Sequence, residues 1–199
     1  MLACAVALVL LMDASGSIND AEWALQRDGT AEALTDPAVL GVLRRQGAVA
    51  ITAIAFAEET QVLVPWAVVA ADADAQAFAN GLRSAPRALW GGTYIGPALE
   101  DAAAALDAAP CAAEQEVVDI ASDGGSDVMP AEAARAMLEL RGVRVNALGI
   151  GTLPGDDPAR WLRAHAVTSG GFALSADGWA GFARAMRRKL AMELASATP

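Results

Sequence analysis

The stretch that decides the fold is ALVLLMDASGSINDAEW, residues 7–23. It continues an apolar run, ACAVALVLLM (3–12), that shows neither a helical nor an alternating period. A run of that length and kind fits a central β-strand covered on both faces. It stops abruptly at Asp13-Ala14-Ser15-Gly16-Ser17, where a carboxylate and two hydroxyls recur at every second residue. Asn19 or Asp20 then offers a helix cap, and Glu22 stands where it completes a capping box from Asn19. The helix is expected to run to about Leu34. Strand, polar turn and capped helix make one βα unit. The turn lies just beyond the carboxyl end of the strand, where open α/β sheets bind their ligands.

The alternation continues along the chain. TDP (35–37) ends the first helix, and AVLGVLRRQG (38–47) predicts a short second one stopped by Gly47. AVAITAIAFA (48–57) and TQVLVPW (60–66) are β-rich and joined by Glu58-Glu59, a hairpin signal. Pro65 places the second of them at a sheet edge, where a missing N–H matters least. DADAQAFANGLRSA (72–85) reads as helix, and Gly91-Gly92-Thr93 leads into an Ala-rich helix from about Ile95. EVVDIASDGGSD (116–127) is a buried strand ending in Ser122-Asp123-Gly124-Gly125. A helix over about 130–141, a strand VRVNALGIG (143–151), a short helix around Trp161 and a brief strand near Phe172 follow. The last helix carries Trp179, Phe182, Met186, Leu190 and Leu194 as one apolar stripe. The expectation is a single domain over 1–199. Its class is α/β: a doubly wound, mostly parallel sheet of about six strands with one antiparallel edge strand and helices on both faces.

Composition narrows the functional classes. The chain of 199 residues is 55% hydrophobic but only 5% aromatic, so Ala, Val, Leu and Ile must build the core. With 24 acidic against 14 basic residues the formal charge is −10, which argues against a nucleic-acid face and suits a cation or a basic partner. MLACAVALVLLM resembles the apolar part of a signal peptide, but it lacks a basic start and a cleavage site and is too short to span a bilayer. It reads as the first core strand, and a leader removed upstream and replaced by Met1 is compatible with the same residues. GIGTLPG (149–155) has the wrong glycine spacing for a dinucleotide loop, and Pro154 and Pro158 interrupt the helix that loop would need. No G-x-S-x-G elbow is present, and the single histidine, His165, is expected at or near the surface. Trp90 is expected to pack rather than to anchor a partner. Arg187, Arg188 and Lys189 read as the wet face of the last helix, and Asp127, Asp156 and Asp157 as solvated loop acids.

Three loops carry the chemistry: Asp13–Ser17, Gly91-Gly92-Thr93 and Ser122–Gly125. They offer carboxylates and hydroxyls with no His or Cys, a donor set that suits hard divalent cations, Mg²⁺, Mn²⁺ or Ca²⁺. D-x-S-x-S, then G-G-T, then S-D-G, in this order on three strand ends, resembles the von Willebrand factor A (VWA) domain over essentially the whole chain. MDASGSINDAEWALQRDG, GGTYIGPAL, DIASDG and FARAMRRKL are similar to a bacterial, often exported VWA group without assigned function. The resemblance implies a metal-ion-dependent adhesion site (MIDAS). Ser15 and Ser17 would then ligate the metal directly and Thr93 would join them in the ligand-bound state. Asp13 and Asp123 would hold metal-bound waters, and a carboxylate from a protein partner would fill the open position.

Cys4 is expected at the start of the first strand and Cys111 in the loop just before the strand over 116–122; the same resemblance implies that these two strands are neighbours, with both cysteines at the ends away from the metal. A disulfide is reasonable there and would point to a periplasmic or secreted location; two free thiols would leave a cytoplasmic one open. Two other functions compete with a non-enzymatic binding module. One is a Mg²⁺-dependent phosphohydrolase with Asp13 as nucleophile, although Ser15 stands where such enzymes want a second acid and the only lysine is Lys189. The other is a scaffold that binds partners without metal.

Overall fold

Leu2–Asp13 forms β1, and Val6–Met12 is seven consecutive residues with at most 1% exposure each. Burial of every side chain on both faces is why the run has no period. The computed structural model describes residues 2–152 and 155–195; the readings made on Met1 and Pro154 therefore lie outside the described residues. After β1 come α1 (Asp20–Leu34), α2 (Pro37–Gln46), β2 (Val49–Phe56) and β3 (Thr60–Val69). Then follow α3 (Asp72–Ser84), α4 (Ile95–Asp107), β4 (Cys111–Ser122) and α5 (Val128–Leu140). The order closes with β5 (Arg144–Gly151), α6 (Pro158–His165), β6 (Ala173–Asp177), a 3₁₀ turn (Trp179–Gly181) and α7 (Phe182–Ala195).

The strands form one six-stranded sheet in the order β3-β2-β1-β4-β5-β6. All neighbours are parallel except β2 and β3, the hairpin joined across Glu58-Glu59, so Pro65 does lie on an edge strand. Val6, Leu8, Leu10 and Met12 point to one face, where they meet Phe78 and Leu82 of α3, Val39 of α2 and Phe182, Met186 and Leu190 of α7. Ala7, Val9 and Leu11 point to the other and meet Leu99 of α4, Leu138 of α5 and Leu162 of α6. With so few aromatics, fit depends on close backbone approach. A Cβ on Gly149 of β5 would fall 2.1 Å from the Ala159 nitrogen, so only glycine lets α6 lie this near the sheet.

Local signals govern the helix starts. Asn19 accepts from the backbone N–H groups of Ala21 and Glu22, while Glu22 accepts from Asn19 N, a complete capping box. Asp36 caps α2 ahead of Pro37, and Asp157 accepts from Arg160 N at the start of α6.

Three expectations are corrected. Lys189 is not on the wet face of α7: it is fully buried, as is Glu193 one turn later, because both face Asp119 of β4. Trp90 does not pack inside but is 60% exposed. Cys111 is not in a loop before β4 but opens the strand, which pairs with β1 from Leu2 onward. Cys4 and Cys111 form a disulfide with Cα atoms 5.8 Å apart, closing a separation of 107 residues. Its loss through Cys111→Ala is expected to cost about 2–5 kcal/mol in denaturant unfolding. Thiol counting on the denatured, non-reduced wild type is expected to find no free thiol.

Candidate metal centre

β1 and β4 end side by side, with Met12 level with Ala121, so Asp13 and Ser122 face each other across the rim of the sheet. Ser122 Oγ donates to Asp13 Oδ2 at 2.5 Å, and the Ser15 N–H donates to Asp13 Oδ1 at 2.8 Å. Beyond this buried pair runs a chain of oxygens. Ser15 Oγ and Ser17 Oγ are 3.1 Å apart, and Ser17 Oγ donates to Asp123 Oδ1 at 2.8 Å. Asp13 and Ser15 are buried, Asp123 is half-buried and Ser17 is exposed, so the cluster grades from the core to solvent.

The backbone of the turn is held from below and from the side. Gln26 Nε2 on α1 donates to the Asp13 carbonyl at 2.7 Å. Arg87 Nη2 donates to the carbonyls of Ala14 and Ser15, at 3.2 and 2.8 Å, while its Nη1 reaches Asp20. Gly16 N donates to Gly91 O at 2.8 Å, which pins the Gly91-Gly92-Thr93 loop to the D-x-S-x-S turn. Gly91 has φ +105, a left-handed conformation that favours glycine, and a Cβ there would fall 2.6 Å from the Glu58 carboxyl carbon. Glu58 in turn accepts from Gly92 N at 3.2 Å. Thr93 is half-buried on this loop, and its side chain makes no hydrogen bond among the described residues.

Of the five residues singled out in the sequence, Asp13, Ser15, Ser17 and Asp123 share one hydrogen-bonded cluster. Thr93 stands on the loop tied to it. Ser122, Gln26, Arg87 and Glu58 also shape the site. Ser122 was visible as a hydroxyl beside Asp123, whereas Arg87 carries no local sequence signal. Asp127 is exposed at the start of α5, and Asp156 and Asp157 belong to the approach to α6. His165 is half-buried and bonded to Glu132 at 2.9 Å.

Burial dominates the electrostatics. It pushes the Asp13 carboxyl up to about 6, against the lowering effect of its bonds from Ser122 and Ser15, and the Asp123 charge adds a further upward push. Asp123 is also raised, first by burial and then by the nearby Glu22 carboxylate, while its bond from Ser17 acts the other way. Two carboxylates held above their usual range beside two convergent hydroxyls form an all-oxygen set, and no cationic side chain among the described residues pairs with either carboxylate. Such a set fits a hard divalent ion. The rim also carries exposed apolar side chains. Trp90 stacks against Arg87 at 5.3 Å, and Tyr94 (43% exposed) and Met129 (82%) flank the loops. The starts of α4 and α5 are locked together by Ile95 N donating to Ser126 Oγ and by Gly96 against Pro130.

Solved structures with this fold carry the comparison further. The chain is similar to a von Willebrand factor type A protein from Catenulispora acidiphila, with TM-score 0.71, 19% identity and coverage of 94% of this chain and 42% of that one. It is similar to proximal thread matrix protein 1 from the mussel byssus, solved with a zinc-occupied MIDAS motif, with TM-score 0.67, 18% identity and coverage of 95% and 46%. It is also similar to the manganese-loaded Plasmodium vivax TRAP protein, with TM-score 0.58, 19% identity and coverage of 94% and 74%. The chain thus spans less than half the length of the first two of these structures. No curated protein matches it in sequence. Residues 3–198 match the model of the family described as "Protein of unknown function (DUF1194)", so the chain belongs to that family and carries it on a von Willebrand factor A fold.

Proposed function

We propose that this domain is a metal-ion-dependent protein-binding module and not an enzyme. The carrying observation is the continuous run of oxygens from buried Asp13 through Ser15 and Ser17 to Asp123 at the rim of two adjacent strands. Ser15 and Ser17 ligate a divalent cation directly, Mg²⁺ in the first place, with Mn²⁺ or Ca²⁺ as alternatives. Asp13 and Asp123 hold its waters, and Thr93 becomes a ligand when a partner binds. The cation presents its open position to a carboxylate of a protein partner. Exposed Trp90, Tyr94 and Met129 then offer that partner apolar contact area, with the aromatic side chains as anchors. The zinc-occupied and manganese-loaded relatives support the choice of a divalent ion. The disulfide supports a periplasmic or secreted site of action, and no helix among the described residues is long and apolar enough to cross a membrane. The phosphohydrolase reading gains nothing, because the only lysine is buried beneath the sheet rather than at the rim.

Calorimetric titration of metal-stripped protein with Mg²⁺, Mn²⁺ and Ca²⁺ tests the reading. One saturable site is expected, with Ser15→Ala and Asp123→Ala each weakening it by about 10–100-fold. Wild-type protein that takes up none of the three ions, with or without an acidic peptide present, would sink the proposal. The pH dependence has a definite sign. A proton must leave Asp13 before the cation can be held, so affinity is expected to fall by up to about tenfold per pH unit below about 6. In the metal-free protein the folded-state value lies above the unfolded one. The Asp13 contribution to stability is therefore fully present below about 4 and is lost as pH rises through about 6. Thermal melts of the stripped protein between pH 4 and 7 should show this loss, and added metal should reverse it at the upper end.

A further inference from the structure

Lys189 is the only lysine in a chain with thirteen arginines, and it is fully buried. Its Nζ contacts a carboxylate oxygen of Asp119 on β4 and lies 2.5 Å from Glu193 Oε1 on its own helix. Both acids are 1% exposed. The cluster sits between the sheet and α7 in the apolar layer that holds Val117, Met186 and Leu190, with the Phe172 ring 6.0 Å from the amine. Asn146, level with Asp119 on β5, is buried beside it, and its amide oxygen is taken by the Phe172 N–H.

As a mere ion pair this is a poor arrangement, since desolvating one cation and two acids is not repaid by a single lysine. The identity of the cation matters too. Everywhere else the chain uses arginine, whose guanidinium holds its proton in all protein settings, whereas a buried lysine amine can give its proton up. An amine in contact with one carboxyl group, beside a second carboxyl group and shut off from water, is arranged for amide formation. We propose that Lys189 and Asp119 are joined by an intramolecular isopeptide bond, formed after folding with Glu193 as the proton relay.

The step balances without any co-reactant. In the first step the ammonium proton passes to the Asp119 carboxylate that Nζ contacts, leaving an amine and a carboxylic acid. Nζ attacks Cγ of Asp119. Glu193, whose carboxyl burial holds protonated well above the usual range, donates its proton to the departing hydroxyl and receives one from the nitrogen. A C–N bond forms, a C–O bond breaks and one water leaves. No electrons are exchanged, and Glu193 ends as it began. The product ties α7 to the centre of the sheet, on the strand that the Cys4–Cys111 disulfide already ties to β1.

The mass of the intact full-length chain, denatured and reduced, is the first measurement. It is expected to lie one water below the sequence mass. Trypsin should then fail to cleave after Lys189, so that the peptide beginning at Lys189 remains attached to residues 88–135, which contain Asp119. Glu193→Gln and Lys189→Arg are each expected to restore the full mass. A wild-type chain of full sequence mass, cleaved normally after Lys189, overturns the proposal. So does a water loss that maps to other peptides or persists in Lys189→Arg. If neither variant folds, the wild-type mass and its peptide map decide the matter alone. None of these readouts depends on metal binding.

Discussion

The carboxylate of Asp13 is the constraint around which this molecule is built. It ends a strand whose last eight residues, Val6–Asp13, are each at most 1% exposed, so its acceptors must be met from within the protein. Ser122 can meet one oxygen only because β4 lies beside β1 in a register that brings the two strand ends level. The Ser15 N–H can meet the other only because the chain turns sharply after Ala14, and Gln26 and Arg87 hold that turn by its carbonyls. The strand order, the tight turn and the seating of α1 are thus all conditions for one buried acid. A carboxylate placed there for stability alone would be a poor choice, because an apolar residue would fill the same space at lower cost. On the proposed reading, its presence is the cost of a metal site.

Much of this was legible in the sequence, and the reasons are physical. The β1 run is apolar on both faces, so its strand character and central position can be read without knowing its neighbours. The Asn19–Glu22 box and the hairpin at Glu58-Glu59 are local interactions, complete within a few residues. The spacing of Asp13, Ser15 and Ser17 is also local, which is why the cluster could be assembled from three short motifs. What escaped the reading is non-local. Lys189 lies one residue from the apolar stripe of α7, among arginines that do face water, and only the fold reveals that Asp119 waits beneath it. The signal was nonetheless present: one lysine among thirteen arginines, and one acid inside the apolar strand VVDIA. Trp90 escaped for a different reason. Large aromatics are usually covered, and nothing local says that the loop before Gly91 leaves this one on the rim.

Charge explains why, on the proposed reading, metal and partner must act together. The chain carries a formal −10, and the rim adds Asp20, Glu22 and Glu58 to the two carboxylates of the cluster. A partner bearing an acidic residue meets like charge there, and like charges a few ångströms apart in a half-buried setting repel strongly. A divalent cation cancels Asp13 and Asp123 in formal charge. Because Ser15 and Ser17 are neutral, direct ligation by hydroxyls leaves the cation poorly compensated within its inner shell. Its remaining field is directed outward, toward the one open position. Replacing either serine by a carboxylate would bind the metal more tightly while weakening its pull on a partner acid. On this reading the hydroxyls trade grip on the ion for reach beyond the protein, and the exposed side chains of Trp90, Tyr94 and Met129 supply affinity that charge alone does not.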